Sequence, residues 1–180
     1  MQQYGYWFFP NVYDKNTIKE INILLKNNIL SGADKPAVDV VKTSKVSFIP
    51  WSSVYSQLLL IEDCIRFANR KNFVYDILPF DYSTILHYNV YEKGNEYQWH
   101  QDGMTTEDPT DIKLTVILNL SEKPYEGGEL MLRINNTDEV VDLKPGSIVV
   151  FKSWLSHKVT SVTKGERISL TTWAEGPKFR

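Results

Sequence analysis

Lys113-Leu114-Thr115-Val116-Ile117-Leu118-Asn119-Leu120 and, nearer the C-terminus, Arg167-Ile168-Ser169-Leu170-Thr171-Thr172-Trp173 are the two stretches on which the fold turns. Successive side chains of an extended strand point to opposite faces. Thr115, Ile117 and Asn119 therefore share one face, and Leu114, Val116, Leu118 and Leu120 share the other. In the second stretch Arg167, Ser169, Thr171 and Trp173 oppose Ile168, Leu170 and Thr172. Polar faces ordinarily meet water. If helices cover the leucine faces instead, the mixed faces must line a cavity inside a barrel. From these strands alone, a solvent-facing polar side is equally open.

Working outward, short β-type runs recur from Ser83 onward: residues 84–91, 113–120, 129–134, 139–143, 147–151, 157–162 and 167–173. Turn signals stand between them: Lys93-Gly94-Asn95, Glu126-Gly127-Gly128, Asn135-Asn136, Lys144-Pro145-Gly146 and Lys164-Gly165. Many short strands at this spacing predict a sandwich or closed barrel. The first third reads differently. After a short aromatic strand over Tyr6–Phe9, Asp14 can cap a helix running to about Leu30 and stopped by Gly32, with Ile18, Ile21 and Leu25 at helical spacing. Residues 46–49 read as a strand. Ser52 or Ser53 can cap a second helix, with Val54, Leu58, Ile61, Ile65 and Ala68 on one stripe. The expectation is a mainly β (α+β) single domain over residues 1–180. About 1–80 forms a helical support region packed on one sheet, and about 83–175 forms the β core.

At 180 residues the chain supports one sizeable core, and its formal net charge of −2 lacks the basic excess that a phosphate backbone would call for. Nucleic acid is thus a poor first candidate as partner. The single cysteine, Cys64, can form no internal disulfide. Met1-Gln2-Gln3-Tyr4 lacks a basic segment followed by an apolar core, and no apolar run is long enough for a bilayer. A cytoplasmic protein without membrane contact is the expectation.

His100-Gln101-Asp102, answered downstream by His157, carries the chemistry. Residues two apart on an extended strand share a face, so His100 and Asp102 can reach one ion. His157 opens a later strand after Trp154-Leu155-Ser156, a stretch suited to a turn at a barrel rim. Two imidazoles and a carboxylate without thiolate suit iron(II) with open positions, rather than structural zinc. Because Asp102 fills the third ligand position, hydroxylation is favoured over halogenation. His87 reads as structural or as lining the pocket, and Trp99 as packing that points away from the ion. Arg167 offers a charged fork for bidentate capture of a carboxylate, and Ser169 on the same face adds a hydroxyl. Two adjacent antiparallel strands would carry His157 and Arg167 into the same barrel. A surface arginine paired with Glu166 or Glu175 is the plainer alternative.

From about Lys42 to the C-terminus the chain resembles the 2-oxoglutarate and iron(II)-dependent dioxygenases of the prolyl-4-hydroxylase type, in their small bacterial and phage form. The residues carrying the resemblance are Tyr91-Glu92-Lys93-Gly94, Tyr97-Gln98-Trp99-His100-Gln101-Asp102-Gly103, the 114–121 strand, Tyr125-Glu126-Gly127-Gly128-Glu129-Leu130, Lys144-Pro145-Gly146-Ser147, and the run from His157 to Arg167. The resemblance implies a double-stranded β-helix (jelly roll, cupin-like) with N-terminal helices on one sheet. It implies Fe(II) on His100, Asp102 and His157, and 2-oxoglutarate with its distal carboxylate on Arg167. Tyr91 matches a tyrosine lining the cosubstrate pocket, and Trp173 an aromatic near the metal. Asn119 stands where some relatives have a tyrosine on that carboxylate, so Ser169 or Tyr91 is expected to substitute. The activity implied is hydroxylation with O2, releasing succinate and CO2, with ascorbate among the expected cofactors. The substrate expected first is a peptidyl residue, proline by analogy. A free small molecule, a nucleobase, or a non-catalytic metal-binding module are the alternatives. Residues 103–111, rich in Thr, Asp, Glu and Pro, are expected to gate the substrate together with 31–45, a plain connecting loop being the alternative.

Overall fold

The structure, a computed structural model, describes residues 4–30, 35–36, 42–103 and 110–178. In chain order the strands are β1 (Tyr6–Phe9), β2 (Lys35–Pro36), β3 (Lys45–Pro50), β4 (Ile85–Tyr91), β5 (Tyr97–His100), β6 (Thr110–Asn119), β7 (Glu126–Gly127), β8 (Leu130–Ile134), β9 (Thr137–Val141), β10 (Ile148–Lys152), β11 (His157–Val159), β12 (Val162–Lys164) and β13 (Arg167–Pro177). Helix α1 (Lys15–Asn27) follows β1, and α2 (Tyr55–Ala68) follows β3. A large sheet takes the order β1-β10-β6-β13-β4-β3-β2, a small one β5-β11-β8-β9, and β12 pairs with β7 in a short ribbon. Among the described residues every strand pairing is antiparallel. The architecture is the expected jelly roll.

Two apolar clusters explain why the sheets face as they do. Leu114, Val116, Leu118, Leu120, Ile168 and Leu170 pack with Ile18, Ile21 and Leu25 of α1 and Leu58, Ile61 and Ile65 of α2. On the opposite side of the large sheet, Ile117, Val149 and Phe151 meet Leu130, Leu132 and Val141 of the small sheet. The leucine faces of β6 and β13 are thus covered by helices, and their mixed faces turn into the barrel. Of the two readings open from the strands, the interior cavity is the one realised. Each fully buried Leu or Ile in this layer contributes about 1.5–3 kcal/mol.

Several local expectations hold. Asp14 caps α1 by accepting from the Thr17 backbone N–H at 2.8 Å. Asn135 and Asn136 take φ of 50° and 64°, the left-handed pair of a tight hairpin between β8 and β9. Four expectations need correction. Helix α1 ends at Asn27 rather than near Leu30: the Asn28 side-chain amide donates to the Leu24 carbonyl, and the Leu30 N–H is taken by Phe48 of β3. Gly32, expected to stop it, lies outside the described residues. Neither Ser52 nor Ser53 caps α2, because residues 51–53 form a 3-10 turn and the Ser53 hydroxyl donates back to the Pro50 carbonyl. The strand expected over 157–162 is broken at residues 160–161, where the chain leaves the small sheet for the ribbon. There Glu126-Gly127 forms a strand rather than a turn. A side chain at Gly127 would run into the Ser161 carbonyl, so this close approach requires glycine. Among the described residues no helix is long and apolar enough to cross a membrane.

Candidate active site

Strands β5 and β11 are antiparallel neighbours in the small sheet, with His157 in register with His100. Asp102 lies just beyond the end of β5, so strand alternation does not place it. Its backbone N–H donates to the Ser153 carbonyl at 3.0 Å, which holds the segment against the turn preceding β11. The three side chains converge: their potential ligand atoms all lie within 4.8 Å of one another. His157 Nε2 is 3.5 Å from Asp102 Oδ2, and His100 Nε2 is 3.7 Å from Asp102 Oδ1.

The supporting contacts decide which nitrogens face inward. His100 Nδ1 lies 2.7 Å from the Gln98 carbonyl, and His157 Nδ1 lies 2.9 Å from the Leu155 carbonyl. A carbonyl can only accept, so both Nδ1 atoms carry the proton and both Nε2 lone pairs turn towards Asp102. The Thr115 hydroxyl donates to Asp102 Oδ2 at 2.5 Å, orienting the carboxylate from β6 in the opposite sheet. Two neutral imidazole nitrogens and one oriented carboxylate suit a divalent first-row ion, iron(II) included. Thr115→Val is therefore expected to weaken Mn(II) or Co(II) binding about 10–100-fold with the fold intact, measured by calorimetry alongside circular dichroism. An unchanged affinity would remove Thr115 from the site.

Burial, and next the neighbouring His157, pull the His100 imidazole down to about 4. Burial and the Lys42 ammonium do the same to His87, also to about 4. Neutral imidazole is the ligand form. Between pH 6.5 and about 4 the unfolded chain takes up protons at both rings that the folded chain refuses, so stability is fully present above that window and lost on acidification through it. The metal-free protein should accordingly melt at lower temperature at pH 4.5 than at pH 7. A flat profile across that interval, read by calorimetry, would contradict the burial of both rings.

These groups open on a cavity of about 290 Å³ whose lining includes Lys42, His87, Asn89, Tyr91, Tyr97, Ile117, Arg167, Ser169, Thr171 and Trp173 as well as the three convergent side chains. Arg167 is 2% exposed, and among the described residues it forms no ion pair. Its Nη1 donates to the Ser169 hydroxyl at 3.1 Å, and its guanidinium lies 5.2 Å from the centre of the Tyr91 ring. A buried cation without a counter-ion is costly, and the cavity is where an anion could reach it. Burial pushes the Tyr91 phenol up, with Arg167 opposing. A larger groove of about 990 Å³ shares Arg167 but none of the three convergent side chains, so the chemistry lies in the smaller cavity.

The remaining predicted residues divide. Trp173 lines the cavity, edge to face with His87 at 4.6 Å, and Ser169 lines it beside Arg167. His87 lies between Phe48 and Trp173, as a lining group apart from the cluster. Trp99 points outward, its ring covered by Arg133 and Lys158. Asn119 is not brought to the cavity: its amide donates to the Tyr125 hydroxyl and the Leu143 carbonyl, and its oxygen accepts from the Ser121 N–H. Nor are the strands of His157 and Arg167 neighbours. β11 belongs to the small sheet and β13 to the large one, because the ribbon carries the chain across between them. The segments expected to gate the cavity lie largely outside the described residues, which omit 31–34, 37–41 and 104–109.

Two positions escaped the sequence reading. Gly128 gives Arg167 its path, since a Cβ there would lie 2.9 Å from the arginine Cδ. The Glu126-Gly127-Gly128 signal pointed to a turn, not to this clearance. Lys42 reaches the cavity from a single bridge to Tyr97. Burial pulls its ammonium down to about 8, with Asp102 opposing. No local pattern marks a lysine that only a long-range pairing turns inward.

The sequence model of the 2OG-Fe(II) oxygenase superfamily matches residues 86–175, half of the chain. Over 95 residues the chain is 36% identical to a PKHD-type hydroxylase of Alteromonas mediterranea, covering 49% of this chain and 42% of that protein. Over 115 residues it is 36% identical to a PKHD-type hydroxylase of Janthinobacterium sp., covering 60% of this chain and 50% of the relative. It thus spans about half the length of the curated relatives it matches. Among solved structures it is similar to a Pseudomonas putida prolyl-4-hydroxylase, with a TM-score of 0.75 at 20% identity over 97% of this chain and 94% of that one. It is also similar to a prolyl hydroxylase from Trichoplax adhaerens in complex with a hypoxia inducible factor peptide fragment, with a TM-score of 0.73 at 18% identity, covering 94% and 83% of the two chains. At these identities the likeness establishes a shared fold.

Proposed function

Because the chain belongs to the 2OG-Fe(II) oxygenase superfamily, we propose that it is an Fe(II)- and 2-oxoglutarate-dependent dioxygenase that hydroxylates a peptidyl residue, proline first, with release of succinate and CO2. The observation carrying this reading is the convergence of His100, Asp102 and His157 on the cavity that also receives Arg167. The peptide substrate is supported by the Trichoplax neighbour, whose structure holds a peptide fragment. We further infer that the chain acts as a single domain, in the cytoplasm, with ascorbate as accessory reductant.

When bound, iron(II) would supply dioxygen activation coupled to oxidative decarboxylation of the cosubstrate. The chain's own share is positioning. His100, Asp102 and His157 would hold the ion, with the two backbone carbonyls fixing the imidazole tautomers and Thr115 steadying the carboxylate. Arg167 would take the distal carboxylate of 2-oxoglutarate, with Ser169 and Tyr91 beside its guanidinium. The apolar groups around the cavity (Ile117, Val159, Phe48) would limit water near the reacting atoms.

The reading is tested by succinate release from 2-oxoglutarate under air with Fe(II) and ascorbate, followed by mass spectrometry of cell-lysate peptides treated with active and metal-dead protein. Peptides gaining one oxygen only with the active protein support a peptidyl substrate. Succinate without any modified peptide would move the substrate to small molecules, and no succinate would sink the oxygenase reading.

A further inference from the structure

Lys42 is the second cation of the cavity. Its Nζ donates to Asn89 Oδ1 at 2.7 Å and lies 5.0 Å over the Tyr97 ring. Asn89 is itself fixed, its amide nitrogen bonded to the His87 carbonyl and to the Thr171 hydroxyl, so its oxygen is held towards the lysine. An ammonium has three donors, and among the described residues Asn89 occupies one. The remaining donors belong to a group that lines the cavity. The face of Tyr97 favours the charged form, and Tyr97 stacks in turn on His100 with ring centres 3.5 Å apart. Lys42 therefore stands on the metal side of the cavity.

A charge count over the described lining residues shows what is missing. Asp102 is the one carboxylate, and it faces the two imidazoles. A divalent ion with Asp102 leaves one positive charge, and Lys42 and Arg167 add two more. A dicarboxylate cosubstrate offsets two of the three. Among the described lining residues one positive charge then stays without a counter-charge, and an uncompensated ion away from water is expensive. A single surplus charge matches a monoanion.

We propose that Lys42 is a second carboxylate-binding residue, positioned by Asn89, that receives a free carboxylate of the primary substrate. The inference rests on the oxygenase reading and narrows its substrate to the C-terminal residue of a peptide or to a free amino acid. Arg167 and Lys42 thereby divide the two organic anions between them, the cosubstrate going to the arginine and the substrate to the lysine.

The test uses Mn(II)-loaded full-length protein with 2-oxoglutarate, and a pool of the free L-amino acids and Ala-Xaa dipeptides offered as free acids or as C-terminal amides. Thermal shift reads binding, and 2-oxoglutarate consumption by the Fe(II)-loaded protein reads turnover. The free-acid pool is expected to raise both, and the amide pool neither. Lys42→Met should lose about tenfold or more of the response, while Lys42→Arg, which keeps the charge, retains most of it. Calorimetric 2-oxoglutarate affinity should stay within about threefold of wild type in Lys42→Met, which also shows that the variant is folded. Equal responses to acids and amides, no response to either, or a loss of 2-oxoglutarate affinity of about tenfold or more in Lys42→Met would each overturn the assignment. The last outcome would give Lys42 to the cosubstrate. Wild-type protein that neither binds 2-oxoglutarate nor releases succinate fails before the pools are added, and that result would overturn the oxygenase reading and this one together.

Discussion

Asp102→Ala is expected to abolish 2-oxoglutarate-dependent succinate release, a loss of about 10³-fold or more, and His157→Ala to do the same. Losing a partner that merely orients a metal ligand typically costs 10–100-fold, so losing a ligand should exceed it. Among the described residues Asp102 is the one carboxylate lining the cavity, and without it two neutral imidazoles of the cluster remain to hold a dication. The fold should survive the change. Asp102 is tied to the scaffold through its backbone N–H on Ser153, which alanine keeps, and among the described residues its side chain adds the Thr115 bond and the approach of the two imidazoles. Succinate measured by mass spectrometry, metal content and circular dichroism on the same samples separate loss of the ion from loss of structure. A folded Asp102→Ala or His157→Ala protein turning over at the wild-type rate would refute the ligand assignment.

Arg167→Met should raise the 2-oxoglutarate requirement by about 30-fold to 5 × 10³-fold while leaving the metal-free protein as stable as the wild type or more so. The two effects share one cause. With no ion pair among the described residues and 2% exposure, the guanidinium is a buried charge whose natural partner would arrive with the cosubstrate. Truncating one side of a desolvated charge pair costs about 2–5 kcal/mol of binding, whereas removing a buried charge that lacks its partner relieves a penalty. Arg167→Lys should fall between, because an ammonium keeps the charge but not the two-pronged geometry. The measurements are apparent KM for 2-oxoglutarate and the melting temperature without ligands. An unchanged KM would remove Arg167 from the clamp, and a large drop in melting temperature would make it a structural residue.

What was legible in the chain follows from the range of the forces involved. Period-two alternation in residues 114–120 and 167–173, the Asp14 cap, the Asn135-Asn136 hairpin and the α2 stripe are set by neighbours a few residues away, and each appears where expected. Where local signals competed, they misled. Ser53 could cap a helix or bond back to the Pro50 carbonyl, and its own chemistry does not choose between them. Helix α1 ends early because Phe48, some twenty residues on, captures the Leu30 N–H.

The candidate site divides in the same way. By itself the sequence determined the side-chain chemistry: two imidazoles, one carboxylate and a guanidinium, with alternation placing Arg167 and Ser169 on one face. Only the tertiary structure decided which face turns inward, because that depends on helices α1 and α2 covering the leucines from elsewhere in the chain. It also put His157 and Arg167 in opposite sheets, bound Asn119 to Tyr125 and Leu143, and set Lys42 among the cavity groups. These outcomes rest on pairings between distant segments, and such pairings are selected by packing the whole barrel rather than by the preferences of any one stretch.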